Sequence, residues 1–565
     1  MGKRVLIVGG VAGGASAAAR IRRLDADAFI TIFERGEHVS FSNCSLPYYL
    51  SRTVEHKDHL VLMTPEGFKN SYDIEVRVNS EVCGIDPTLR KIHIKNSVSG
   101  QEYEESYDEL VLSPGSSPIR PKSIEGVSLP HVFTVRNVSD ITKLDQYVAR
   151  EEIRSVVVIG GGFIGLEVAE NLKAAGKQVS VAEAASQVMA PFDYDMSQIL
   201  QKELYDQGVE LAVSDGVKTI TKDKVILNSG RELPCDAVVL SIGVLPETEL
   251  AKKAGLEIGE TGAIKVTPDY RTSDSHIYAV GDAIEVYQRL THKPGKLPLA
   301  GPALRQARAA ADAMYGISTK NNGVIGSCAV RLFELNAAAT GLNERAANEN
   351  NIPCDSVYTM AMDKVGLMPG SSPIHFKLVF EVPTGRILGA QAIGKGNVDK
   401  RIDVIATLIA MNGTMEDLKE LELCYSPVFG TARDVVNLAA LVALNVLHGV
   451  FIQVHVSEVR KLVESQACII DVRNRDEFEK GHLIGAVNIP LGELRQRISE
   501  IPHDRPVYLH CRTSQRSYNA SMALKGRGFD NIINISGSFL GISFYEYFTD
   551  MTTGRKKILT EYNFL

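Results

Sequence analysis

Residues 3–8 (KRVLIV) place an unbroken apolar run after two basic residues, the pattern of a strand buried on both faces. Gly9-Gly10-Val11-Ala12-Gly13-Gly14 follows and leads into an Ala-rich helix over 15–24. A second apolar run, 29–34, ends on Glu34, 20 residues beyond Gly14. Strand, glycine loop, helix and acid-tipped strand together predict a dinucleotide-binding unit. Its glycines let backbone N–H groups approach a pyrophosphate, and its acid takes a ribose hydroxyl pair. One position departs from the usual G-x-G-x-x-G spacing, because Val11 stands where the middle glycine would.

The pattern recurs at 156–183. VVVI leads into Gly160-Gly161-Gly162-Phe163-Ile164-Gly165, then a helix over 166–175 and a strand over 178–182 that runs into Glu183. One such loop is weak evidence, but two in the same context predict two bound nucleotides. Glu183 would repel a 2′-phosphate, and Ala184-Ala185 offer no arginine to hold one, so NADH is expected over NADPH. Further along, strand-like runs at 326–334, 374–382 and 387–392 precede helices near 399–411 and 432–447. A new domain begins near 452.

With 565 residues, the chain is long enough for three to four domains. Its 44% hydrophobic and 23% charged content is that of an ordinary globular protein, and a net charge of −7 argues against nucleic-acid binding. The longest apolar stretch, 438–451, carries Asn445 and His448 and is too short to span a bilayer. No signal-peptide cleavage site follows the N-terminal apolar run, so a cytoplasmic protein is expected. Eight irregularly spaced cysteines suggest neither a disulfide framework nor a metal site. Two of them are singled out by their surroundings. Cys44 lies ten residues beyond Glu34 in SFSNCSLPYY, with no second cysteine at C-x-x-C or C-x4-C spacing, and Cys511 lies in the polar loop CRTSQRS. A lone redox sulfur must cycle through thiolate, sulfenate, mixed disulfide or persulfide.

Several longer segments carry family resemblances. Residues 272–282 resemble the flavoprotein T-x(6)-hydrophobic-G-D signature, which implies that Gly281 and Asp282 meet the FAD ribityl chain. LVLSPGSSP at 110–118 (Ser113, Pro114, Gly115) and LSIGVLPE at 240–247 (Gly243) resemble the crossover strands that close FAD and NAD domains; Arg35 and Asn43 join the cofactor set. The first 445 residues resemble coenzyme A disulfide reductase in the VGGVAGG loop, the box around Cys44, YDELVLSPGSSP, PLAGPALRQAR at 298–308 and Cys424-Tyr425-Ser426-Pro427. DVR at 471–473, the run from Glu477 to Pro490 and the Cys511 loop resemble a rhodanese sulfurtransferase domain. The whole chain looks like a fused reductase–rhodanese of the NADH-dependent persulfide reductase type.

The resemblance implies an α/β protein with two Rossmann-like dinucleotide-binding domains, an α+β dimerisation domain and a C-terminal α/β rhodanese domain. The expected boundaries are FAD binding over 1–120 and 246–322, NAD binding over 121–245, the interface domain over 323–447, rhodanese over 453–550, and a tail over 551–565. It implies Cys44 as the redox sulfur, its thiolate favoured by flavin and a helix N-terminus, with FAD, NADH and coenzyme A as cofactors or substrate. Ser16, Arg20, Arg23, Ser40, Asn43, Arg308 and Arg433 would hold coenzyme A, and Tyr425 would reach the partner's cysteine across a homodimer. Two departures accompany this. Leu367-Met368-Pro369-Gly370 replaces a Tyr-Tyr-Pro-Gly segment, and Tyr72 stands where relatives carry a basic residue, with Lys69 nearby. In the rhodanese loop, Arg512, Thr513, Ser514, Gln515 and Arg516 would cradle a persulfide on Cys511, the two arginines favouring its thiolate. Ser514 occupies a place that often holds glycine.

The expected activity is NADH-driven reduction of coenzyme A persulfide or polysulfide to sulfide and thiol, with sulfur relayed by Cys511. The alternatives are a coenzyme A disulfide reductase serving the thiol pool, an NADH oxidase or peroxidase, and a sulfur carrier with a vestigial flavin site. Against the oxidase stands Val11-Ala12, where such relatives often carry a histidine.

Overall fold

A computed structural model describes residues 2–564. Two compact units emerge, residues 1–184 with 214–324 and residues 185–213 with 325–565.

In the first unit a parallel sheet runs in the order Ile277–Ala279, Glu109–Leu112, Arg4–Val8, Phe29–Phe33, Glu75–Arg77. The 110–118 segment, read as a closing strand, thus lies beside the first strand, and the strand of the 272–282 signature lies next to it. Val5 is level with Ile30 on one side and Glu109 on the other. Val5, Ile7, Ile30 and Ile32 pack beneath helices Ala12–Leu24 and Ala300–Met314, whose Ala17, Ala18, Ala307 and Ala310 let the two helices approach closely. The first helix starts at Ala12, three residues before the expected start, because Gly13 and Gly14 already belong to it. Gln178–Ala182, Ser155–Ile159, Ala237–Leu240 and Val132–Thr134 form the second parallel sheet, with helix Phe163–Ala174 after its glycine loop.

In the second unit five antiparallel strands run in the order Ser327–Leu332, Leu335–Gly341, Ile387–Gly394, Pro373–Glu381, Cys354–Met362, joined by helices Val398–Ala410 and Val435–Leu447. Helix Tyr194–Asp206, expected within the NAD domain, packs in this unit instead. Lys377 Nζ lies 3.3 Å from Asp193 and 2.9 Å from Asp195. Helix Tyr194–Asp206 lies along helix Ser538–Thr553, with Tyr194 edge-on to Tyr545 and Tyr205 edge-on to Tyr547.

The last domain is a parallel sheet in the order Ile452–Val454, Ile532–Ile535, Val507–His510, Cys468–Asp471, Val487–Asn488. Its expected end at 550 and the tail over 551–565 need correction. Helix Ser538–Thr553 crosses that boundary, Ile558 and Leu559 are buried in the core, and Leu559 pairs with Leu483. Burying those two side chains removes apolar surface from water, which holds the segment onto the domain. Among the described residues no helix is long and apolar enough to cross a membrane.

Candidate active sites

Both nucleotide loops are shaped by close backbone approach. Gly9 has φ +91°, and a Cβ there would lie 2.1 Å from the Ser113 carbonyl oxygen; one at Gly14 would lie 1.8 Å from that of Gly9. The second loop repeats this, Gly160 (φ +109°) against Ser241 O at 2.4 Å and Gly165 against Gly160 O at 1.9 Å. Only glycine fits at these four places. Val11 is tolerated because its φ is −99°, an ordinary value, as is that of its counterpart Gly162 (−85°), which faces open space. Glu34 Oε2 accepts from Gly10 N at 2.9 Å, and Glu183 Oε2 accepts from Gly161 N at 2.7 Å. Each carboxylate is thereby held at the mouth of its loop, where a ribose diol belongs, so both sites fit a dinucleotide.

The rest of the first site is a web of polar contacts. Ser116 Oγ donates to Asp282 at 2.9 Å, Arg136 Nε donates to Ser116 O at 2.7 Å, and Gly281 N donates to Gln306 at 2.8 Å. Gly115, Gly243 and Gly281 all have positive φ. Arg35, expected at the cofactor, is half-exposed and ion-paired with Glu247 at 3.0 Å.

Cys44 occupies the single turn Asn43–Ser45, and Asn43 Nδ2 ties that turn to Arg136 O at 3.2 Å. Cys44 is exposed, yet its sulfur is set back among protein atoms. That burial, then the nearby Glu167 and Asp282, pushes the thiol up from its ordinary value. Burial and the two carboxylates therefore disfavour the Cys44 thiolate.

Glu167 and Tyr48 went unnoticed in the sequence. Tyr48 Oη donates to Glu167 Oε1 at 3.4 Å. Burial raises Glu167 to about 7, the Tyr48 hydrogen bond opposing and Glu170 adding to the rise. Asn171 Nδ2 holds the Glu167 carbonyl at 2.7 Å and its Oδ1 receives Ser51 Oγ at 2.6 Å, hooking the Cys44 loop onto helix Phe163–Ala174. The available signal was an acid two residues past the last loop glycine.

Ser16, Arg20, Arg23, Ser40 and Arg308 line one pocket of about 360 Å³, together with apolar Met63, Phe68, Tyr72 and Leu304. Ser16, Arg20 and Arg23 converge because i, i+4 and i+7 share a helix face. Asp312 pairs with Arg20 at 2.5 Å and lies 3.7 Å from Arg308. Arg23 lies over the Tyr72 ring at 5.7 Å, and Lys69 turns away to Asp73 at 2.5 Å. Asn43 and Arg433 are not part of this lining: Asn43 serves the Cys44 turn, and Arg433 is exposed in the second unit. In that unit Tyr425 (52% exposed), Phe429 (68%) and Leu367 (88%) present apolar surface from two segments joined by Val365 N donating to Pro427 O at 3.3 Å.

Cys511 ends strand Val507–His510 and is buried. Its N–H donates to Ser538 Oγ at 3.2 Å, and Phe539 N and Leu540 N return to the Cys511 and Arg512 carbonyls at 3.0 and 3.1 Å. Ser514 has φ +72°, which is why glycine often stands there, and its Oγ meets Ser538 Oγ at 3.1 Å. Among the described residues the amides of 512–516 make no backbone hydrogen bond, so with Thr513 and Gln515 they form an open cradle for an anion at the helix start. Arg516 is claimed by Glu477 at 2.6 and 2.7 Å, so only Arg512 brings uncompensated charge, and burial, then Arg473, lowers its pKa. That halves the positive charge the sequence led us to expect. Beneath the loop, fully buried Arg473 pairs with Asp471 at 2.6 Å and lies over the Phe539 ring at 3.8 Å. Ser538 is the residue of this site that sequence reasoning missed.

Residues 3–308 match the pyridine nucleotide-disulphide oxidoreductase family, 328–434 its dimerisation domain, and 455–543 the rhodanese-like domain. The chain is 32% identical to a coenzyme A disulfide reductase of Staphylococcus epidermidis over 436 residues, 77% of this chain and 98% of that protein. Among solved structures it resembles reduced Bacillus anthracis CoADR-RHD, with TM-score 0.93 and 41% identity over 96% of this chain and 98% of that one. It also resembles an NAD-dependent persulfide reductase from A. fulgidus, with TM-score 0.91 and 35% identity over 95% and 99%.

Proposed function

The chain belongs to the pyridine nucleotide–disulphide oxidoreductase family, whose cofactors are FAD and NAD(P)H, and from that premise we propose that it reduces sulfane sulfur carried on coenzyme A at the expense of NADH, in the cytoplasm. The observation that carries this reading is the pairing of a lone Cys44 with a second sulfur, Cys511, whose anion cradle is complete in the same chain. A disulfide reductase has no use for a sulfane carrier, whereas a persulfide reductase does. FAD, when bound, supplies two-electron transfer between nicotinamide and sulfur.

The chain's own groups do the rest. The loops at Gly9–Gly14 and Gly160–Gly165 hold the pyrophosphates, Glu34 and Glu183 the riboses, and Asp282 the ribityl chain; Glu183 selects NADH. The Arg20, Arg23 and Arg308 pocket binds the coenzyme A phosphates. Cys44 Sγ attacks the sulfur bonded to pantetheine, the persulfide S–S bond breaks, hydrosulfide leaves, and a Cys44–coenzyme A disulfide forms. Two electrons from NADH then cleave that disulfide, restoring the Cys44 thiolate and releasing coenzyme A thiol. The balance is NADH, a proton and persulfide giving NAD+, thiol and hydrogen sulfide. Tyr425, contributed across a homodimer interface, donates a proton to the departing thiolate. Cys511 takes sulfane sulfur from a donor and passes it to coenzyme A.

Reduction of coenzyme A disulfide is the second reading, favoured by the Staphylococcus epidermidis relative, which is matched over 98% of its own length by 77% of this chain. Steady-state kinetics with both substrates separates them. A kcat/KM for coenzyme A persulfide above that for coenzyme A disulfide supports the first, and the reverse order supports the second.

A further inference from the structure

Tyr358 lies in strand Cys354–Met362, outside the rhodanese-like segment. Its buried ring is held at the hydroxyl, which is hydrogen-bonded to His375 Nδ1 at 2.7 Å, and the His375 ring stands edge-on to Phe544 at 4.9 Å. Burial holds His375 down to about 4, so its imidazole is neutral and its Nδ1 is free to accept from the phenol. Two glycines of the last domain sit against this ring. A Cβ at Gly537 would lie 2.9 Å from Tyr358 Cδ1, and one at Gly541 would lie 3.3 Å from Cε1.

Gly537 (φ +77°) and Ser538 (φ +50°) are consecutive left-handed residues. The chain turns sharply there, and the turn delivers the Ser538 hydroxyl to the Cys511 amide at 3.2 Å and to within 4.0 Å of Cys511 Sγ. The next two amides lock the carbonyls of Cys511 and Arg512. An unbroken line of contacts thus runs from the Tyr358 ring through Gly537 and Ser538 to the sulfur. We infer that Tyr358 is a positioning residue for Cys511, an aromatic wall from the preceding domain that fixes the turn on which the sulfur-transfer loop is built. The inference rests on the reading of Cys511 as a sulfur carrier. On this account the rhodanese-like domain is not a self-sufficient module in this chain, because a wall of its active site belongs to its neighbour.

The test uses the full-length holoenzyme. Sulfur transfer is read as thiocyanate formed from cyanide, with thiosulfate and glutathione persulfide as donors. The pH profile of Cys511 alkylation by iodoacetamide is read by mass spectrometry, and NADH-dependent ferricyanide reduction controls for fold and flavin. Tyr358→Ala should lower the thiocyanate kcat about tenfold and shift the alkylation profile, while Tyr358→Phe, which keeps the wall, restores both; misplacing a reacting atom by a fraction of an ångström suffices for that loss. Ferricyanide reduction should stay at the wild-type rate. Gly541→Ala, which adds a methyl against the ring, should lower transfer, and Tyr358→Leu combined with it should recover part of the loss. Tyr358→Ala with wild-type thiocyanate kcat and an unshifted alkylation profile overturns the inference. Should Tyr358→Ala lose both activities through misfolding, Gly541→Ala decides, and unchanged transfer in that variant overturns the inference too. A wild-type protein that forms no thiocyanate with either donor refutes the carrier reading instead, and the alkylation profile still tests the positioning of Cys511.

Discussion

Tyr48 and Glu167 meet at 3.4 Å, a phenol from the turn after Cys44 touching a carboxyl on the second dinucleotide-binding helix. The contact places a group raised to about 7 within electrostatic reach of the redox sulfur. Below pH 7 Glu167 is neutral and does not oppose a Cys44 thiolate. As pH rises through 7 the carboxylate forms, and its charge holds the thiol protonated longer. The two titrations are therefore coupled, each ionisation disfavouring the other.

Glu167→Gln removes one side of that coupling. We expect Cys44 to ionise at lower pH, moving its iodoacetamide alkylation profile to lower pH. A profile superimposable on wild type would show that the carboxyl does not act on the sulfur.

In the arginine pocket Asp312 compensates Arg20 and lies near Arg308, which leaves Arg23 as the pocket guanidinium with no ion pair among the described residues. Arg23→Ala should raise KM for coenzyme A substrates about tenfold, the scale of one charge-assisted phosphate contact, with KM for NADH unchanged. Asp312→Asn frees two arginines and should lower that KM. If both variants bind coenzyme A with wild-type affinity in calorimetry, the pocket is not its site.

Glu183 is fixed by Gly161 N at the mouth of the second glycine loop. Replacing it by alanine together with Ala184→Arg should raise kcat/KM for NADPH at least about tenfold and lower that for NADH, since repulsion is removed and a counter-charge supplied. An unchanged preference would mean that selectivity is set elsewhere.

What could be read from the residues, and what could not, follows from the range of the forces involved. The glycine loops were legible because Gly9, Gly14, Gly160 and Gly165 answer a steric demand that leaves no other residue. Five of the seven expected coenzyme A contacts converge because three share one helix face and Ser40 and Arg308 fold onto it. Long-range pairing was not legible. Strand Leu335–Gly341 reads LNAAATG, and its buried alanines look like helix until the sheet and helix Val398–Ala410 close over them. Helix Tyr194–Asp206 left its expected domain, Asp195 pairing with Lys377 nearly two hundred positions away. Ser538 became part of the Cys511 site through a turn whose support, Tyr358, lies in another domain.

His375 gives a stability prediction with a definite sign. Its folded pKa of about 4 lies below the ordinary 6.5, so the stability it contributes is present above 6.5 and is lost as pH falls toward 4. Between pH 7.5 and 5 that amounts to about 2 kcal/mol from this group alone. Denaturant melts of wild type and His375→Gln at the two pH values measure it, and the variant should show the smaller acid loss. Equal losses in both would remove His375 as the cause.

The most direct test of the central claim is anaerobic incubation of the holoenzyme with NADH and coenzyme A persulfide, following hydrogen sulfide and NADH together. The account predicts sulfide equimolar with NADH consumed, and no turnover in Cys44→Ser. Sulfide release that persists in Cys44→Ser, or NADH consumption without sulfide, would contradict it.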